Sequence, residues 1–143
     1  MKKPVFEGLA TAIVTPFKNG TIDIPTFEML LDTQLAANVD AIVVCGTTGE
    51  AATLSYNERM ALIERCVRTA DRRVPVIAGS GTNSTASSIA LSKAAQSAGV
   101  DALLTVTPYY NKASQSGLVQ HFSAIADAVD VPVILYNVPS RTG

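Results

Sequence analysis

The chain has no tryptophan, one histidine, two cysteines and few charges: 16% of its 143 residues. Each shortage narrows the possible functions. Eleven lysines and arginines stand against twelve acidic residues, for a net charge of −1. Without a basic excess, neither a nucleic acid nor an anionic membrane is an expected partner. The one histidine, His121, falls in a helical stretch between Gln120 and Phe122. It reads as a solvated or partly packed helix residue, and alone it gives no convincing Ser/His/Asp or Cys/His constellation. Cys45, at a strand end, and Cys66, on a helix, have neither metal-ligand spacing nor a secreted disulfide framework. They read as reduced, buried structural thiols, and no metal or cofactor is expected. No apolar run is longer than a strand, so none is expected to cross a bilayer. The start, Met1-Lys2-Lys3-Pro4 before Val5-Phe6-Glu7, has no apolar core of a signal peptide. A soluble, cytoplasmic protein is the expectation.

Apolar residues, by contrast, make up 48% of the chain, which excludes disorder. The length fits one domain over residues 1–143, burying roughly two-thirds of its unfolded surface. So little charge leaves apolar surface that another chain is expected to cover.

The apolar pattern predicts strands near Ala10–Thr15, Ala41–Cys45, Pro75–Ala78, Ala102–Val106 and Pro132–Asn137. Ala41-Ile42-Val43-Val44-Cys45 and Ala102-Leu103-Leu104-Thr105-Val106 are continuous rather than alternating, the mark of a parallel sheet buried on both faces. Helices are predicted between them. The first opens at Ile24-Pro25, with Phe27, Leu30, Leu31 and Leu35 apolar. Ser55 and Glu58 form a capping-box pattern ahead of the second, with Met60, Ile63 and Val67 on one face. The third runs over 84–98 and closes at Gly99, and the fourth over 114–128. Ala37-Asn38-Val39-Asp40-Ala41 and Ala98-Gly99-Val100-Asp101-Ala102 are matching helix-to-strand joints, by convergence or by duplication. The series fits either an open doubly wound sheet or part of a closed barrel.

In both architectures function collects in the loops after the strands. Gly46-Thr47-Thr48-Gly49-Glu50 follows the second strand. Its glycines permit unusual backbone angles and close approach, its amides can form an anion nest, and Thr47 and Thr48 add hydroxyls. Lacking a lysine, the loop suits a carboxylate better than a nucleoside triphosphate; otherwise it is a tight turn. Thr107-Pro108-Tyr109-Tyr110-Asn111 follows the fourth strand, where Tyr109 reads as a cap on the core. Tyr136 ends the fifth strand with its phenol toward the ligand face. Arg141 lies just beyond, with a planar fork suited to a carboxylate or to a surface ion pair.

These loops, with Thr11-Ala12-Ile13-Val14-Thr15-Pro16-Phe17 and Tyr136-Asn137-Val138-Pro139-Ser140-Arg141-Thr142-Gly143, resemble the dihydrodipicolinate synthase family of pyruvate-dependent class I aldolases. The resemblance covers the whole chain in order, and Arg141 favours this family over the N-acetylneuraminate lyases. It implies a (β/α)₈ barrel, usually tetrameric, with a small C-terminal helical domain. It further implies that Thr47, Tyr136 and Tyr110 form a proton relay, Tyr110 reaching in from a neighbouring subunit. Thr47 and Thr48 would hold the pyruvate carboxylate, and Arg141 that of aspartate semialdehyde. Ala51, Tyr56 and Ser87 stand where lysine-inhibited members carry Ser, His and Glu, so feedback inhibition by lysine is not expected.

The family nucleophile is a lysine on the sixth strand, which forms a Schiff base with pyruvate. The lysines here, Lys2, Lys3, Lys18, Lys93 and Lys112, match it nowhere. Lys112 alone falls on the ligand face, and it reads as solvated. The expected chain is thus an α/β half-barrel, (βα)₄ plus a fifth strand, lacking the second half and the helical domain. It is expected to self-associate to cover its open edges and apolar interior. By itself it would be nearly inactive in condensing pyruvate with aspartate semialdehyde. The other reading is a non-catalytic folding and assembly module that at most binds a small carboxylate such as pyruvate.

Overall fold

The continuous apolar runs become neighbouring strands of one parallel sheet. In the computed structural model, which describes residues 4–143, β1 (Ala10–Ala12) pairs with β4 (Ala41–Val44). Next to it lie β5 (Val76–Gly79), β6 (Ala102–Val106) and β7 (Val133–Tyr136), giving the order β1-β4-β5-β6-β7 with every pair parallel. The expected start at Met1-Lys2-Lys3 lies outside the described residues.

Helices α1 (Ile24–Ala36), α2 (Tyr56–Ala70), α3 (Thr85–Ala98) and α4 (Gln115–Ala126) connect these strands, each touching the next. Strand order follows chain order and never reverses. Crossovers of one hand then stack every helix on the same side, which decides against a doubly wound sheet and for a barrel segment. Among the described residues, no helix is long and apolar enough to cross a membrane.

Alternation along the strands separates two layers. Ile42, Val44 and Leu103 face the helices and pack in one core with Phe27, Leu31, Leu62, Ile63 and Cys66. Ala41, Ile77 and Ala102 face the other side, covered by Val5 and Phe6 and flanked by Val43, Leu104 and Ile134. The same alternation puts Gly79, Val106 and Tyr136 on this inner face, at the C-terminal ends of their strands.

Local chemistry explains the joints. Ser55 and Glu58 make both halves of the predicted capping box, and Gly99 closes α3 at φ 95°. The two similar helix-to-strand joints do the same work. Asp40 accepts from the Leu9 amide at 2.7 Å, and Asp101 from that of Val76 at 2.8 Å. Each aspartate also donates its own amide to the carbonyl of the same residue, closing a two-bond clamp on the neighbouring strand.

Some expectations shift. β1 stops at Ala12, because Pro16 turns the chain into a small hairpin, β2 (Phe17–Lys18) and β3 (Thr21–Ile22), about Asn19 and Gly20 at positive φ. The buried stripe of α2 is Arg59, Leu62, Ile63, Cys66 and Ala70; Met60 and Val67 are only its half-buried flanks. The last loop winds into a short helix, α5 (Pro139–Thr142), which proline starts readily.

His121 is not solvated. It is 6% exposed, with Nδ1 2.8 Å from Thr85 Oγ1 on α3, the Phe122 ring edge-on to it, and Nε2 without a partner. Burial holds its pKa below the ordinary imidazole value. The fold therefore favours the neutral ring, so stability is full above the unfolded value, about 6.5, and is lost as pH falls below it through the lower folded value. Thermal midpoints should drop between pH 7.5 and 5, and drop less in His121→Asn; equal slopes would remove His121 as the cause.

Candidate functional site

At the C-terminal ends of the inner-face strands lies a cavity of about 280 Å³. Its floor is Gly79, Leu104 and Val106, and its rim carries Thr47, Glu50, Tyr109, Tyr136 and Arg141. Each rim residue ends or follows a strand, so the parallel sheet brings residues nearly a hundred positions apart to one place.

The Gly46–Glu50 loop is held from both sides. Gly49 and Ala51 donate to the Gly46 carbonyl and Glu50 to that of Thr47, while the buried Thr15 hydroxyl donates to Gly49 O at 2.7 Å. The expectation that its glycines supply unusual backbone angles is corrected. The left-handed residues are Cys45 (φ 54°) and Glu50 (φ 55°), which turn the chain off β4 and into a 3₁₀ turn over Ala51–Thr53. Gly49 serves close approach instead: a Cβ there would lie 3.2 Å from Ile13 O.

On the opposite rim, Thr107 donates its amide (2.8 Å) and its hydroxyl (3.3 Å) to the Tyr136 carbonyl. Thr142 donates to Asn137 Oδ1 at 2.9 Å, anchoring α5 so that Arg141 stands on the cavity wall.

Of the five expected site residues, Thr47, Tyr136 and Arg141 meet here. Thr48 is exposed beside the cavity and is not part of its wall. Tyr110 is 91% exposed, held at φ 70°, and is also off the wall. Lys18, Lys93 and Lys112 are exposed and none lines the cavity; Lys2 and Lys3 lie outside the described residues. Cys45 and Cys66 are free and buried, and burial raises each thiol to about 12, leaving both protonated and unreactive at neutral pH. Among the described residues, no cluster of His, Cys, Asp and Glu has metal-binding geometry.

Arg59 was missed from the sequence. It lies on α2, buried, and Nη2 donates to the Ala51 carbonyl behind the cavity rim. A capped helix with charges nearby gives no sign that one arginine points inward; only packing shows it.

The model of the dihydrodipicolinate synthetase family matches residues 5–143. The chain belongs to this family. It is similar to the 4-hydroxy-tetrahydrodipicolinate synthase of Geobacter metallireducens, 55% identical over 139 residues, which are 97% of this chain and 48% of that protein. The chain thus spans about half the length of the curated relatives it matches. The dihydrodipicolinate synthase of Thermotoga maritima superposes with a TM-score of 0.95 at 47% identity, over 98% of this chain and 48% of that one. The chloride-inhibited enzyme of Acinetobacter baumannii, solved with pyruvate, superposes at 0.93 and 52% identity, over 95% and 47%. The five-stranded sheet therefore matches the N-terminal part of dihydrodipicolinate synthase barrels, as the loop motifs implied.

Proposed function

We propose that these residues form the substrate-holding half of a 4-hydroxy-tetrahydrodipicolinate synthase, the lyase that condenses pyruvate with aspartate semialdehyde on the way to lysine. One observation carries the reading: Thr47, from the loop after β4, meets Tyr136 at the end of β7 and Arg141 just beyond it on one cavity. A small carboxylate fits its chemistry. The Thr47 hydroxyl and loop amides offer neutral donors, and the Arg141 guanidinium offers a charged fork at the other side. Thr48, at the edge of the same loop, adds a second hydroxyl.

Tyr136 and Thr47 on facing rims are suited to pass a proton through hydroxyls that both donate and accept. Tyr110, exposed at the tip of its loop, completes the relay in the cavity of a neighbouring copy. The covalent step needs a lysine from outside these 143 residues, so the chain by itself binds without condensing. Pyruvate in the A. baumannii relative supports the choice of ligand. Pyruvate titration followed by NMR should show saturable shifts in the Gly46–Glu50 loop. In Thr47→Val they should weaken roughly tenfold, the worth of one hydrogen bond to a charged group. Unchanged affinity in the variant would remove the loop from the site.

The half-barrel, residues 1–143 as one unit, has two unpaired edges, β1 and β7, and an inner face only partly covered. We propose that a second copy covers them, and that the chain otherwise serves as a folding and assembly module. Two five-stranded sheets supply ten strands, two more than the family barrel, so such a pair covers faces without rebuilding that ring. The free, buried thiols support a reducing, cytoplasmic location.

A further inference from the structure

Glu50 is the single acidic residue on the wall of the cavity that Thr47, Tyr136 and Arg141 share. Its backbone is fully committed. The amide donates to the Thr47 carbonyl at 3.0 Å, and the Glu50 carbonyl accepts from the amide and the hydroxyl of Thr53, both at 2.9 Å. Its carboxylate is not. It caps nothing in the Ala51–Thr53 turn that it precedes, and it joins no ion pair among the described residues. A left-handed φ of 55° suits glycine or asparagine, and a glutamate without local contacts has nothing there to offset the strain.

The other rim carries the opposite charge in the same state. Arg141 stands on the cavity wall, and among the described residues its guanidinium also joins no ion pair. The second arginine of the wall, Arg59, is buried and donates to the Ala51 carbonyl, which leaves Arg141 as the accessible cation. Glu50 and Arg141 are both exposed and do not pair with each other. Each is held in its own place, Glu50 by the bonds of its loop and Arg141 by the Thr142 bond to Asn137 Oδ1. The cavity thus offers one free anion and one free cation above the apolar floor of Leu104 and Val106. A ligand with a single charge is attracted by one of them and repelled by the other, whereas a zwitterion satisfies both.

We propose that Glu50 is a specificity-determining residue of this cavity: its carboxylate takes the ammonium group of an α-amino acid whose carboxylate lies on Arg141. The inference rests on the function proposed above for placing the second substrate on Arg141, and it adds what selects that substrate. Pyruvate, which has no ammonium group, is left to the neutral donors of the Thr47 hydroxyl and the loop amides. An acid of the same length without the amino group is disfavoured, because Glu50 repels it and gains no partner.

The probes are α-aminobutyrate and butyrate, each titrated into the 143-residue chain at neutral pH and constant ionic strength and followed by amide NMR shifts. Both should shift α5, and only α-aminobutyrate should also shift Glu50 strongly. It should bind roughly tenfold more tightly than butyrate, as expected for one charge-assisted hydrogen bond. Glu50→Gln keeps the size of the side chain and removes its charge. In that variant α-aminobutyrate should weaken roughly tenfold while butyrate binds no less tightly, so the two affinities converge. A loop that was merely disturbed would lose both ligands alike. Pyruvate titrated into the unmutated chain separates the two readings. No saturable pyruvate shift would sink the function proposed above, whereas pyruvate binding together with equal affinity for the two probes would sink this proposal alone. No binding of α-aminobutyrate, a Glu50→Gln variant that weakens both probes equally, or one that keeps the preference would also overturn it.

Discussion

Replacing Gly79 with alanine is expected to destabilise the chain by about 3 kcal/mol or more, at the top of the range for overpacking. Gly79 ends β5 on the inner face, and a Cβ there would run into the carbonyl of Cys45, just past the end of the neighbouring β4. Backbone cannot rotate aside as a side chain can. Cys45 is itself committed, since its left-handed φ of 54° starts the loop carrying Thr47. The substitution therefore strikes packing and site together, and pyruvate binding should fall with stability. Gly20→Ala is the control: its φ is +79°, but a Cβ there meets nothing within 4 Å, so only the backbone cost of about 1–2 kcal/mol applies. Urea unfolding measures both. A Gly79→Ala midpoint within about 0.5 kcal/mol of the parent would contradict the close approach.

At micromolar concentration the chain should scatter light as at least two copies. Among the described residues, β1 and β7 each present one unpaired side, and the outer face of β7 is open at Leu135, which is 62% exposed. Val14 and Phe17 are exposed too, at the rim beside β1. Open edges and apolar patches together drive association, whether orderly or not. Leu135→Lys, placing a charge on that face without touching the inner layer, should raise the dissociation constant about tenfold or more, as expected for losing a buried leucine. A stable monomer for the parent chain at the same concentration would contradict the proposal.

What was legible in the sequence follows from physical causes. β6 appears with its expected limits, Ala102–Val106, because a strand buried on both faces leaves a continuous apolar run. The α2 cap was legible because Ser55 and Glu58 satisfy each other locally, with no help from the rest of the fold. The β2–β3 hairpin was missed although Asn19-Gly20 announces such a turn, since its strands are two residues each and carry no apolar period. That Thr47, Tyr136 and Arg141 would gather at one cavity was legible because a parallel sheet places every strand end and post-strand loop on one side. That argument stops at the loop and does not say which side chains in it line the cavity, so it could not separate Thr48 from Thr47. Arg59 was missed, and the burial of His121 left open, for the opposite reason. Polar residues on helices are usually solvated, and only the packing of α2 and α3 against their neighbours buries these two.

In the proposed role, the chain binds pyruvate and takes its nucleophile from outside these residues. Pyruvate and borohydride, followed by intact mass, test it directly on the chain alone and on the chain co-expressed with the C-terminal half of the Geobacter metallireducens relative. A reduced pyruvate adduct is expected on the complementing half and an unchanged mass for the 143-residue chain. A pyruvate adduct on Lys18, Lys93, Lys112 or any other group of the chain itself would contradict it.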